Sequence, residues 1–568
     1  MTTANDITIR EALDLLDGPF VELADGVAED FYALWLGSGI SLSRMPGLGE
    51  VAMAVLDHLQ HRVEVGNAAC PYRNSLEAIL GLVGLTPDER TRVDFTKQVA
   101  TWPDIGNICS RMVLHYARAL DQAPAGQPAD YLVWEAVDVV GRYGDPTKTP
   151  AVEHLAVAAL IAEGVASDIA TANWDALVER ATETLLGSDP AILQVRVRPE
   201  DVRGGPARAY LYKFHGCAVL AGQDEAAYRS RLVGRASQVN GWEKKAENRV
   251  FARKLIDLAL SKRTLMLGLS AQDANIQTIF VAASEDMAWE FPSHPPAFVF
   301  SEDHIGVDQR GLLRNVYKEQ YDPNQAAIDQ EALLRAYARS LLPALWLYVV
   351  CAKLSAMIDA AAPDLNHADH TLLRNGLKLL RNSVANAAPP TNYEGFLADA
   401  LVRVGRAMTL FREGRQPSTG VGPYSPLSPS PTAATLADPG LAASGIRQFA
   451  LGLGLLGLGQ AAGQWTCTAP SVGFGTMRVT SPARSAEIFF AANAAAATNL
   501  VLNGWVSEDQ DAIVLHSQRV LPSAPRSPAG PLGRTGRLGL REINVGELAE
   551  GAVELDEMLA RLKAEMVV

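Results

Sequence analysis

Four short stretches carry residue types able to do chemistry, and each lies at the end of an apolar, β-type run. Residues 209–216, Ala-Tyr-Leu-Tyr-Lys-Phe-His-Gly, deliver His215 off a strand and into a glycine. An imidazole placed there can act as a base near neutral pH, or it can be an ordinary hydrogen-bonded core group. Residues 165–181 read as a strand running into a helix, with Asn173 and Asp175 at the switch. One such residue suffices to cap a helix, whereas two of them, two positions apart, exceed what a cap requires. Residues 37–41, Gly-Ser-Gly-Ile-Ser, follow a buried-type run at 30–36 and precede a helical pattern at 49–62. Strand, Gly-x-Gly and helix together turn the backbone tightly and can present free amides to a pyrophosphate. The third glycine of the dinucleotide fingerprint is not at its usual spacing, so a plain glycine turn is the alternative. Residues 263–270 end in Gly268-Leu-Ser270, with Asp273 and Asn275 just beyond.

The elements that must position these loops alternate strand and helix from residue 20 to about 330, with Pro296 opening what reads as the last strand at 296–300. That order implies a Rossmann-like, doubly wound parallel sheet, in which ligands sit at the carboxyl ends of strands. Two alternating runs at 192–198 and 208–214 are separated by the turn-forming Gly204-Gly205-Pro206. Between the first two site loops, residues 49–164 show apolar residues at three- and four-residue spacing, the pattern of a helical insertion or lid. His58 and His61 share a helix face in it without a nearby third ligand, so no metal site is expected. Residues 331–415 form a helical module, 416–440 a Pro- and Ser-rich linker, and 441–568 a smaller mixed α+β domain, for sensing or assembly, that closes in a helix at 545–566. The apolar run at 341–350 exceeds one face of a solvated helix, which points to a homo-oligomer.

Composition bounds the function classes. The chain of 568 residues is long enough for about two to four domains. A formal charge of −14 argues against direct nucleic-acid binding. Five scattered cysteines without a Cys-x-x-Cys pair argue against a disulfide framework or a four-thiolate zinc site and favour a cytoplasmic home. The apolar stretch at 449–459 is well short of the roughly 20 residues of a membrane span, and no secretory signal precedes residue 20.

In order and rough spacing, Gly37-Ser-Gly-Ile-Ser41, Asn173-Trp-Asp175, Lys213-Phe-His-Gly216 and Gly268-Leu-Ser270 resemble the sirtuin (silent information regulator) family over about residues 20–310. The resemblance implies an NAD site: Gly37, Ser38, Gly39, Ile40 and Ser41 at the diphosphate, Gly268 and Ser270 on the adenosine side, and Asp273 among the residues that bind the cofactor; without Cys-x-x-Cys pairs, no zinc is expected. It further implies Asn173 ordering ribose hydroxyls and water, Asp175 at the nicotinamide amide and His215 as general base.

Two departures shape the reaction expected. The zinc module of two Cys-x-x-Cys pairs, usual in deacetylating sirtuins, is missing, and Leu42-Ser-Arg-Met-Pro-Gly stands where those enzymes continue Gly-Ile-Pro-Asp-Phe-Arg. Met45-Pro-Gly-Leu48 and Gly268-Leu-Ser-Ala-Gln-Asp273 instead resemble bacterial sirtuin-like effectors of antiphage defence, which hydrolyse NAD to nicotinamide and ADP-ribose. Such effectors carry a fused sensing domain or work beside a partner such as a HerA-type ATPase or a short Argonaute. An NAD-dependent protein deacylase and a non-catalytic sensor of NAD or ADP-ribose derivatives are the alternatives.

Overall fold

The computed structural model describes residues 3–414, 420–470, 473–506, 511–518 and 540–566. Seven strands, β1 (Tyr32–Leu36), β2 (Asp168–Thr171), β3 (Leu193–Arg196), β4 (Ala209–Lys213), β5 (Arg263–Leu267), β6 (Phe298–Ser301) and β7 (Leu333–Leu334), form one sheet. Its order is β3-β4-β2-β1-β5-β6-β7, and every pairing is parallel. Helices cover both faces, which is why the central strands are continuous apolar runs: β1 and β6 are buried along their whole length. From β1 the chain goes to β2 on one side and returns to β5 on the other, so the strand order reverses at β1.

The runs at 192–198 and 208–214 are parallel neighbours joined through the 3-10 turn Pro199–Arg203. One expectation needs correction here. The strand at 296–300 is not the last; the two residues of β7 pair beside it, too short to leave an alternating pattern.

The insertion between β1 and β2 is helical, from Leu48–Gln60 to Val152–Ala162, and has its own core around Val55, Leu59, Leu76, Ile79 and Leu132. Ala218 and Leu232, from beyond β4, complete that core and fasten the insertion over the sheet edge.

Helix Ala338–Ala361 is the spine of the molecule. Leu341, Leu345 and Trp346 pack with Leu13, Ala159 and Ile161 in the core of the large sheet. Leu354, Met357 and Ile358 pack with Leu373, Leu451 and Ile488 in the core of the C-terminal part. By length and composition this helix could cross a membrane, with a mean hydropathy of 1.8 over its most apolar window, but 78% of that window is buried inside the protein. The run at 341–350 is thus covered within the chain, and no second copy is needed to explain it.

The C-terminal sheet, with β8 (Thr466–Thr468), β9 (Met477–Thr480), β10 (Ser485–Ala491), β11 (Ala512–His516) and β12 (Arg541–Asn544), has the order β12-β11-β10-β9-β8. Strands β10 to β12 are parallel and β8 and β9 antiparallel. Helix Ile446–Ala461 covers it and crosses helix His367–Asn386 closely enough that a Cβ on Gly457 would lie 2.1 Å from the Gly376 carbonyl oxygen. The closing helix is two, Val545–Ala549 and Leu555–Met566.

The stretch at 416–440 lies partly outside the described residues. From residue 420 it is a packed strap, where its composition suggested a free linker. Tyr424 N–H donates to Leu185 O (2.7 Å), Thr432 Oγ1 to Ala28 O (3.3 Å) and Ala433 N–H to Glu29 Oε2 (3.0 Å). Tyr424 and Leu427 are its apolar anchors, buried against the two cores.

Candidate functional site

A cavity of about 690 Å³ opens at the carboxyl edge of the large sheet, within the usual size of a small-molecule site. The ends of β1, β2, β4 and β5 line it, and Tyr116 and Tyr143 of the insertion overhang it. Ten of the eleven candidate residues meet there; Ile40 does not, since its side chain is 1% exposed and belongs to the hydrophobic core.

The glycine loops meet each other before they meet any ligand. A Cβ on Gly37 would lie 2.2 Å from Gly268 O, and one on Gly39 would lie 2.5 Å from Gly268 Cα. Gly268 itself sits at φ +61°, in the left-handed region that favours glycine. Gly37 N–H donates to Leu267 O and Gly39 N–H to Gly268 O, each 3.0 Å. Those two amides are therefore committed to the β5 loop, while Ser38 and Ser270 stand exposed along the cavity.

Asn173 is held by the first loop. Its Nδ2 donates to Gly37 O (3.0 Å) and Ser41 Oγ (3.3 Å), and its backbone N–H donates to Thr171 Oγ1 (3.0 Å). Ser41 Oγ also lies 3.1 Å from Nε2 of His154. Ala151 N–H donates to His154 Nδ1 (3.1 Å), so the imidazole proton is on Nε2 and points at Ser41. His154 is fully buried, and desolvation pushes its pKa down to about 4, so it is neutral. With two N–H groups directed at its oxygen, Ser41 keeps its own proton for a ligand, and Asn173 keeps Oδ1 as an acceptor. His154 escaped the sequence reading; the available signal was a Glu-His pair in the first turn of the otherwise apolar helix Val152–Ala162.

Asp175 does what the simpler reading required: Oδ1 accepts from Leu177 N–H (3.1 Å) at the start of helix Leu177–Leu186, and the residue also borders the cavity. Beneath it the buried Lys213 bonds the Asp175 carbonyl and Glu179 Oε1. Burial opposes that charge, but Cys217, Glu179 and Asp175 outweigh it and leave the lysine pKa above its ordinary value.

His215 closes β4 at the turn made by Gly216, whose φ of +92° brings the chain against Arg231. Its Nε2 is 3.1 Å from Asp273 Oδ2 and 3.1 Å from the Asn275 side-chain amide, while Phe214 packs edge-on to the ring. Burial lowers the His215 pKa, and the Asp273 charge partly restores it. Asp273 thus pairs with His215, and it also accepts Asn275 N–H (2.8 Å) at the start of helix Ala274–Asp286. Ala271 reaches this arrangement at φ +58°, a conformation costing about 1 kcal/mol outside glycine. Asn275 was visible in sequence only as a polar neighbour of Asp273; its Oδ1 is buried without a hydrogen-bond partner among the described residues. Also among the described residues, no group of three or more His, Cys, Asp or Glu side chains is placed to hold a metal.

A doubly wound parallel sheet with a crevice at its topological switch point, lined by an Asp–His pair and an oriented asparagine, defines an α/β domain with a cleft of small-molecule size. Residues 167–321 match the family model of the SIR2-like domain, from β2 through helix Val307–Tyr317. That match supports a sirtuin-like, NAD-utilising domain in this part of the chain. None of the curated proteins matches the chain.

Proposed function

We propose that the protein hydrolyses NAD to nicotinamide and ADP-ribose. The observation that carries this reading is the convergence, in one cavity, of the Asp273–His215 pair with the Ser41–Asn173 pair. Ser41 offers a donor and Asn173 an acceptor, which suits the vicinal hydroxyls of a ribose. The Asp273 carboxylate, 3.1 Å from Nε2, stabilises the imidazolium that forms when His215 takes a proton from a ribose hydroxyl or an attacking water. Cleavage of a glycosidic bond with a good leaving group needs positioning and a poised base and little else. Tyr116 and Tyr143 of the insertion overhang the reacting end and limit access of bulk water and of a second, bulky substrate.

Two features favour water over an acyl-lysine oxygen as the acceptor: the helical insertion over the site, and a chain without any Cys-x-x-Cys pair. The same reading makes the protein an NAD-depleting effector of bacterial antiphage defence, with the C-terminal half, a further copy or a partner protein as trigger. The test is nicotinamide release from NAD by the purified chain, with and without an acyl-lysine peptide. Peptide-independent release that is abolished in both Asn173→Ala and His215→Ala supports hydrolysis. Release only with peptide would support a deacylase, and binding without turnover a sensor.

A further inference from the structure

Two tyrosines of the helical insertion overhang the cavity, and their hydroxyls are used differently. Tyr143 OH donates to Pro46 O (2.9 Å) and its ring meets Trp174 edge-on, so it is a fixed part of the wall. Tyr116 lines the cavity too, but its hydroxyl has no hydrogen-bond partner among the described residues. It stands in the field of the Asp273 carboxylate, the group 3.1 Å from His215 Nε2. Burial, and then that carboxylate, hold the phenol pKa above its ordinary value, so the hydroxyl keeps its proton.

The position of Tyr116 is fixed from the segment that follows the base. Asp121, which ends the short helix Tyr116–Leu120, accepts from Ser237 N–H (2.6 Å), Ser237 Oγ (2.6 Å) and Arg235 Nη1 (3.4 Å). Asp130 of the insertion accepts from Arg229 Nε (2.6 Å) and Nη2 (3.1 Å). Between those two anchors Val233 N–H donates to His215 O (3.0 Å), and Gly234 fits between Trp174 and Leu120, where a Cβ would lie 2.9 Å from the indole. One clamp thus positions the base and the phenol together, which a flap serving only to shut out solvent does not require.

We infer that Tyr116 binds the water that attacks NAD and so selects water as the acceptor. This deepens the proposed function and rests on it. Tyr116 and Asp273 influence each other without a direct hydrogen bond, the separation that a bridging water fills. A water there accepts from the Tyr116 hydroxyl and directs its two protons at Asp273 and His215, which leaves one lone pair for the anomeric carbon. As the new C–O bond forms, the C–N bond breaks and its electron pair leaves with neutral nicotinamide; the water proton passes to His215. An alcohol has one proton fewer and an alkyl group in its place, so it meets only part of this arrangement.

Turnover of NAD by the full chain in mixtures of water and methanol tests this, with ADP-ribose and methyl ADP-ribose measured as competing products. Tyr116→Phe removes only the hydroxyl and is expected to keep the wild-type melting temperature. It should lower kcat for hydrolysis about tenfold, leave the KM for NAD within about twofold and raise the ratio of methyl ADP-ribose to ADP-ribose about fivefold. A phenol that only shuts out solvent predicts wild-type behaviour in Tyr116→Phe and a change in Tyr116→Ala alone; that result would overturn the inference. So would a loss of kcat with an unchanged product ratio, which puts the hydroxyl on nicotinamide or ribose. Both of those results leave the NAD reading standing. A wild type that releases no nicotinamide, or releases it only with an acyl-lysine peptide, overturns the inference and the NAD hydrolysis reading together.

Discussion

The two ends of helix Val152–Ala162 hold buried polar groups of opposite kinds. The helix has 11 residues, so its ends are about 16 Å apart. At the far end, the fully buried Glu163 is saturated. Oε1 accepts from Tyr424 OH (2.7 Å) and Leu427 N–H (3.1 Å), and Oε2 from Lys353 Nζ (2.9 Å) and Ser428 N–H (3.5 Å). Lys353 spends its other donors on Glu163 O (2.6 Å) and Ser428 O (2.8 Å). At the near end, Glu153 keeps an unpartnered oxygen, Ser41 an unspent proton and, across the cavity, Asn275 an unpartnered oxygen. A saturated network leaves nothing for a ligand and joins the spine, the strap and the sheet into one body. An unsaturated one is tolerable because something else completes it.

The contrast breaks most visibly at Glu163. Lys353→Met strands a buried carboxylate and is expected to cost about 3–5 kcal/mol, read as a fall in unfolding midpoint; adding Glu163→Gln should recover much of it. A fall of similar size in the near-end variants would erase the distinction. His154 gives the next effect, through pH. Its folded pKa of about 4 lies below its ordinary value of 6.5, so the unfolded state binds the extra proton between them. Stability from the neutral imidazole is present above pH 6.5 and is lost as pH falls towards 4, by about 3 kcal/mol, a loss that His154→Gln should lack in pH-dependent melting.

Asp273→Asn removes a charge that raises the His215 pKa. Activity should fall about 100-fold and its acid limb should move to lower pH; an unmoved limb would separate Asp273 from the base. Smallest is His154→Gln at neutral pH, where Gln can still donate to Ser41. A loss of under about tenfold in kcat is expected, against a larger one in His154→Leu and no further loss when His154→Leu is added to Ser41→Ala.

What could be read from the sequence was local. The apolar runs of β1 and β5, each broken by glycine, announce buried parallel strands and the loops at their ends, because burial on both faces and close backbone approach leave unmistakable residue types. What could not be read was proximity at long range. His154 lies 113 positions from Ser41, and Asn275 lies 60 from His215, so neither contact has a spacing to betray it. The strap was hidden by its composition: proline and serine describe a linker, while Tyr424 and Leu427, two anchors in a long stretch, decide the packing. The apolar run at 341–350 was legible as buried, but its cover could not be assigned, since the helices that bury it come from residues 9–28, 152–162 and 367–386.

The most direct test of the account is a time course of NAD loss and nicotinamide release by the full-length wild type and His215→Ala at equal folded concentration. The account predicts turnover by the wild type, yielding nicotinamide and ADP-ribose in equal amounts, and a loss of at least about 100-fold in the variant with its melting temperature preserved. Equal turnover by the two proteins would contradict it.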